Sequence, residues 1–189
     1  MVTLQTMINE SADYVKADLD DDDDRAKIES RLASALNEAK NIIAQRLRLK
    51  TTEDITLDEN ACFNVDGLSQ ALWGLVNVKN DDNEISTQEQ NGLIWCACAP
   101  FETVSVEYEY IPNDMVEMED EYPFPSRISW RLLCYYAAAR YYEIKGTASS
   151  LNKYRYWMTE WESGLSKLRG GVNAKRRIRA VYNYGEYSG

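Results

Sequence analysis

The chain has 189 residues, 44% of them hydrophobic, which suits one compact domain or a core with a small inserted subdomain. No apolar run reaches the roughly eighteen residues of a membrane span, and the start Met1-Val-Thr-Leu-Gln-Thr-Met-Ile lacks a signal peptide's basic and apolar regions, so synthesis and residence in the cytosol are expected. Histidine is absent, which excludes imidazole-based triads and imidazole metal sites, and the net charge of −10 argues against a duplex-DNA binder.

Residues 3–17 carry Leu4, Met7, Ile8, Ala12 and Val15 at spacings of three and four, the stripe of a short helix. An acidic run, Asp18 to Asp24, follows. Its spacing approaches a calcium loop, with Glu29 at the twelfth place, but Asp23 stands where the turn glycine belongs and Arg25 where an apolar residue belongs. The plainer reading is a solvated loop whose last aspartates lie near a helix N-terminus. Asp20, Asp21, Asp22, Asp23 and Asp24 could also repeat around a ring and face a channel. From Arg25 to Lys50 a wide stripe of Ile28, Leu32, Ala35, Leu36, Ala39, Ile42, Ile43 and Leu47 predicts a core helix, with Lys27, Arg31, Glu38, Lys40 and Arg48 mostly off it.

The middle, from Thr51 to Met118, changes period. Ile55-Thr-Leu-Asp alternates, Cys62-Phe-Asn-Val follows a turn, and Asp66 to Trp73 reads as a helix of one or two turns. Leu75 to Lys79 leads into a turn at Asn80–Asn83, and Ser86 to Gly92 is a polar connection. Leu93–Cys98 and Thr103–Ile111 are the clearest strands; Val104, Val106, Tyr108 and Tyr110 share one face of the second. The absence of βα alternation, of a glycine-rich phosphate loop, and of GxSxG and HExxH motifs leaves no nucleotide or hydrolase signature. Cys62, Cys96, Cys98 and Cys134 read as free thiols packed as small apolar residues, and no metal or other cofactor is expected.

Asn113 to Glu121 is an acidic loop, and Pro123 and Pro125 hold an extended approach to the next helix, which Ser126 caps. Ser126–Lys145 carries the stripe Ile128, Leu132, Tyr135, Ala139 and Tyr142, with Ala137-Ala138-Ala139 allowing close approach of another helix. After a turn at Gly146, Leu151, Tyr154, Met158, Trp161, Leu165 and Leu168 form the seam of an antiparallel helix hairpin. Aromatic residues beyond one stripe, Trp130, Tyr136, Tyr141 and Trp157, are candidates for a subunit interface. At Gly170-Gly171 the helical pattern breaks. The tail beyond it shows no helical stripe and roughly alternates, with Arg177, Arg179, Val181 and Asn183 on one side and Ile178, Ala180, Tyr182 and Tyr184 on the other. Lys175, Arg176, Arg177 and Arg179 against Glu186 make it +3, so residues 1–169 hold −13. Such an arm suits strand addition to a neighbour's sheet edge; a frayed terminus and a nucleic-acid contact are the alternatives.

The expected architecture is therefore α+β: a helical bundle of the N-terminal helices (1–50) and a C-terminal helix hairpin (123–169), a small antiparallel β insertion (51–122), and an extended C-terminal arm (170–189). In this order the parts resemble the head-to-tail connector, or adaptor, proteins of tailed bacteriophages. The resemblance rests on the Ala35-Leu-Asn-Glu-Ala39 helix, the β-containing middle, the Pro123-Phe-Pro125 approach, and a hairpin of Leu132-Leu-Cys-Tyr-Tyr-Ala-Ala-Ala-Arg-Tyr-Tyr-Glu143 followed by Tyr154-Arg-Tyr-Trp-Met-Thr-Glu-Trp-Glu162. Many small all-helical members lack so large a middle, which leaves a place nearer the tail-tube-attached adaptors open.

The resemblance implies a non-enzymatic virion protein assembled in the host cytoplasm: a ring, usually of twelve subunits, bound beneath the portal in the particle's neck, with genomic DNA passing through. It implies a C-terminal arm reaching the portal, for which Lys175, Arg176, Arg177, Ile178, Arg179, Val181, Tyr182, Tyr184 and Tyr187 are the candidates, and an opposite face receiving the next neck or tail protein. Another neck completion or terminator protein, a carboxylate-pair hydrolase and a cytosolic nucleic-acid-binding module are the competing readings.

Overall fold

Thr3 starts the first helix, α1 (Leu4–Val15), its hydroxyl accepting the Thr6 N–H, and Lys16 ends it in the left-handed region at φ 53°. The expected stripe is buried: Leu4, Met7, Ile8, Ala12 and Val15 are each at most 4% exposed. The computed structural model describes residues 1–16, 22–81, 83–145 and 147–184, with side chains for 1–16, 24–81, 83–144 and 147–168. Helix α2 (Asp22–Leu47) follows, then the strands β1 (Lys50–Thr56), β2 (Cys62–Asn64), β3 (Ala71–Asn80), β4 (Asn83–Glu84), β5 (Thr87–Gln90), β6 (Leu93–Cys96) and β7 (Thr103–Ile111), and finally helices α3 (Arg131–Lys145) and α4 (Ala148–Tyr184). This is the α+β class the sequence predicts. The chain divides into a helical unit, Met1–Ile43 with Asp114–Gly189, and a β unit, Ala44–Asn113.

In the helical unit α3 packs against both α1 and α4. Leu132, Leu133, Cys134 and Ala137 to Ala139 are all buried, so α3 is covered on most sides. Small side chains make that packing close. Val15 meets Ala138 and Tyr142, whose hydroxyl donates to the Val15 carbonyl at 3.1 Å. At Gly164 of α4 a Cβ would stand 2.4 Å from Leu132 Cδ1, so a larger residue there would require the Leu132 side chain to move. The acidic stretch after residue 113 is tied down along the N-terminus: Leu4 N–H donates to the Asp120 carbonyl, Gln5 N–H to Met118, and Tyr122 N–H to Val2, at 2.8–3.0 Å.

Three helical expectations are corrected. Ser126 does not cap α3, which begins at Arg131. The Ile128 N–H instead closes a turn on the Pro125 carbonyl, and the Ile128 carbonyl accepts from the Tyr122 hydroxyl at 3.1 Å. Lys40 is not off the buried stripe of α2: its side chain is fully enclosed, with the ammonium 2.7 Å from the Asp114 carboxylate. Last, Gly170-Gly171 does not end α4, whose backbone stays helical to Tyr184, so the alternating extended arm does not appear that far. Two internal glycines cost about 1 kcal/mol each relative to alanine, but Ala174, Lys175, Arg176, Arg177, Arg179 and Ala180 are strong helix formers that carry propagation on. The turn at Gly146 lies outside the described residues. The first seam residue of α4, Leu151, is 48% exposed, because a reciprocal cap between Thr147 and Ser150 turns Ser150 inward in its place.

The β unit holds two sheets, one ordered β1-β7-β3-β4 and the other β2-β6-β5, all antiparallel. Their apolar faces share one core of Leu57, Phe63, Val78, Ile94, Cys96, Val104, Val106 and Tyr108. The predicted helix Asp66–Trp73 is corrected: only Val65–Gly67 forms a 3-10 turn, and from Ala71 the chain is strand, because Leu72, Leu75 and Val78 bury against β7. The polar stretch Ser86–Gly92 contains β5, joined to β6 by the two-residue turn Asn91-Gly92, with φ of 54° and 76°. Positive φ at both positions is what a tight type I′ hairpin requires.

Candidate assembly surfaces

Aromatic residues gather first inside the helical unit. Tyr14 of α1, Tyr135 of α3 and Trp157 of α4 stack in a group, with ring centroids 4.7 Å apart for Tyr14–Trp157 and 5.7 Å for the other two pairs. The Tyr14 hydroxyl donates to Glu10, which also pairs with Arg131 at 3.2 Å, and burial with that carboxylate beside it raises the Tyr14 hydroxyl above its ordinary range. Tyr136 lies 5.0 Å from Trp161 and is 7% exposed; burial, then its hydrogen bond to Glu38, pushes its hydroxyl up to about 12. Of the four interface candidates, then, Tyr136 is buried, and Trp157 and Tyr141 are partly buried against their own chain's Val15, Ala138 and Tyr142. Trp130 and Tyr141 are half-buried, Trp130 beneath the Arg131 guanidinium at 5.4 Å and Tyr141 edge-on to Tyr142. Tyr14 was missed as the third ring because its helix's stripe did not include it.

In the β unit the strand register exposes large apolar residues. Strand β3 pairs with β7 through two register shifts, one between Leu72 and Gly74 and one between Leu75 and Asn77. Each inserts one extra residue, and those residues, Trp73 and Val76, are 55% and 38% exposed. Bulges re-aim side chains in this way. Leu72, Leu75 and Val78 keep to the core while Trp73 and Val76 leave it. Beyond β3, β4 pairs Lys79 and Asn80 and Ile85 N–H donates to the Val78 carbonyl, so among the described residues no strand borders Ala71–Asn77 on that side. Trp95 on β6 and Phe101 are also exposed, at 40% and 69%.

Several titratable groups are held by structural hydrogen bonds or burial. Glu53 accepts from the Tyr108 hydroxyl at 2.7 Å and from Ser69 N–H at 3.2 Å; burial opposes its ionisation, but those donors prevail and hold it below its ordinary value. Asp58 is held low by the Cys62 and Asn60 N–H groups it accepts from. The four cysteines are free, and burial pushes Cys96 up to about 11 and Cys134 up to about 12, far from a reactive thiolate.

Of the acidic run, Asp20 and Asp21 lie outside the described residues. Asp22, Asp23 and Asp24 form the first turn of α2, where negative charge suits the helix dipole, and Asp24 is exposed. Glu29, at the last place of the calcium-like spacing, pairs with Arg25 one turn away at 2.9 Å. Lys175, Arg176, Arg177, Ile178, Arg179, Val181, Tyr182 and Tyr184 all fall in the last three turns of α4, whereas Tyr187 lies outside the described residues. No described helix is long and apolar enough to cross a membrane.

No curated protein matches the chain in sequence. The model of one protein family does, that of the SU10 adaptor protein, over residues 2–183, a span that takes in both units and nearly all of α4. By that match the chain belongs to the SU10 adaptor protein family, and it is a structural adaptor of the bacteriophage particle.

Proposed function

We propose that the protein is a head-to-tail connector that forms a ring, of twelve subunits as its resemblance implies, docks on the portal through the C-terminal end of α4, and receives the next neck or tail protein on its opposite face. The observation that carries this reading is the charge split between an acidic body and the basic end of its last helix. Residues 1–169 hold −13, while Lys175, Arg176, Arg177 and Arg179 gather at the far end of α4. An acidic body repels duplex DNA and lets it slide through a passage, which Asp20 to Asp24 would line. The basic end carries attraction away from that body. Half-buried Trp130 and Tyr141 are the subunit contacts of this reading, and Tyr136 and Trp157 support them from within. Such a ring acts by assembly without catalysis: each docked end raises the local concentration of the next, so weak single contacts sum to a lasting joint. It takes its place in the virion's neck after forming in the host cytoplasm.

Electron microscopy of the purified protein, alone and with isolated portal rings of the same phage, tests this. Ring-shaped density seated on one end of the portal is expected. Particles that stay apart from the portal but bind purified tails would favour a terminator role instead.

A further inference from the structure

The helical backbone of α4 to Tyr184 changes which residues of its basic end stand together. In an extended chain Ile178, Ala180, Tyr182 and Tyr184 would share a side. In the helix Ala174, Ile178, Val181 and Tyr182 fall at spacings of four, three and one, which is one stripe of a 3.6-residue period. Arg176, Arg177 and Arg179 fall off that stripe on the helix's other sides. By position along the helix the segment is therefore amphipathic, with an apolar stripe, Arg177 and Arg179 on either side of it and Arg176 opposite.

Resting on the portal-docking reading, we infer that this end binds as a helix laid in a groove, not as a strand added to a sheet edge, and that the groove has an apolar floor and carboxylates along its rim. The ridge matches the floor, and Arg177 and Arg179 on its two sides match a rim that fixes direction and register, since guanidinium recognises carboxylate in a defined fork geometry. Two anionic occupants of other classes fit less well. A membrane surface is engaged by helices with Trp, Phe or Leu on the apolar face, and this ridge has none of them. Duplex DNA would have to approach a body of −13.

Two double variants of the full chain separate the modes, because each adds the same charge. Ala174→Asp with Val181→Asp alters the helical ridge, and Ala180→Asp with Tyr184→Asp alters the side an extended strand would use. Binding to purified portal rings should fall at least tenfold for the first pair and less than threefold for the second. The reverse order, or equal loss, overturns the helical mode. Tighter binding of the unaltered chain to phosphatidylserine vesicles or to a thirty-base-pair duplex than to the rings overturns the protein groove. Unchanged ring binding by a chain ending at Arg169 would instead remove the portal reading itself, whatever the order of the pairs.

Discussion

The two compact units expose large apolar residues in different settings: the helical unit at Met1, Val116, Ile144, Leu151 and Tyr156, outside its stacked rings, and the β unit at bulges in a strand that also lines its core. In the helical unit the aromatic residues of α1, α3 and α4 stack on one another, Ala137 to Ala139 are sealed, and even Lys40 is enclosed with its charge met by Asp114. In the β unit Trp73 and Val76 are lifted out of the core by bulges, and Trp95 and Phe101 are exposed as well. Large apolar groups held in water are costly unless something covers them in use. In each unit the enclosed residues hold the fold and the exposed ones do not, and substitutions should divide along that line.

The largest effect is expected at the enclosed ion pair. Asp114→Ala leaves the Lys40 ammonium without that carboxylate and should lower unfolding free energy by about 3 kcal/mol in urea titration, while Lys40→Met, of similar volume, should be within about 1 kcal/mol of the parent. Burial, opposed by Asp114, holds the Lys40 ammonium below lysine's ordinary 10.5. The folded state then binds fewer protons than the unfolded chain between the folded value and 10.5, so stability rises with pH through that window and the contribution is least favourable below it. Lys40→Met should remove this rise; an unchanged alkaline profile would contradict the assignment. Next, Gly164→Ala forces a methyl against Leu132 and should cost about 1–3 kcal/mol by the same titration. Gly92→Ala in the hairpin turn, at φ 76°, should cost about 1 kcal/mol. The smallest effect is expected at the bulges. Trp73→Ser with Val76→Ser should change stability by less than about 0.5 kcal/mol per site. A large loss there would mean that these side chains serve the core and would break the comparison.

The helical unit was legible in the sequence because its periods are local. Leu4 to Val15, Leu32 to Ile43, and Trp161 with Leu165 are buried as their spacing predicts. What escaped depends on contacts far apart in the chain. Lys40 could not be known as enclosed without Asp114, 74 residues on, and Trp73 could not be read as strand without the bulged register against Tyr110 and Glu109. The β5–β6 hairpin was within reach, since Asn91-Gly92 is the strongest short hairpin signal, but its polar strand Thr87–Gln90 hid it. At the candidate docking end the basic residues were legible and their conformation was not. Reading Gly170-Gly171 as a stop made the alternation from Arg176 look decisive, whereas propagation through the pair makes Ala174, Ile178, Val181 and Tyr182 the relevant set.

The central claim, that the body folds without the end of α4 but does not join its partner without it, is tested most directly by copurification of a chain ending at Arg169 with portal rings of the same phage. The shortened chain should keep its cooperative unfolding transition and be lost from the portal fraction that retains the full chain. Retention of the shortened chain at the same stoichiometry would contradict it.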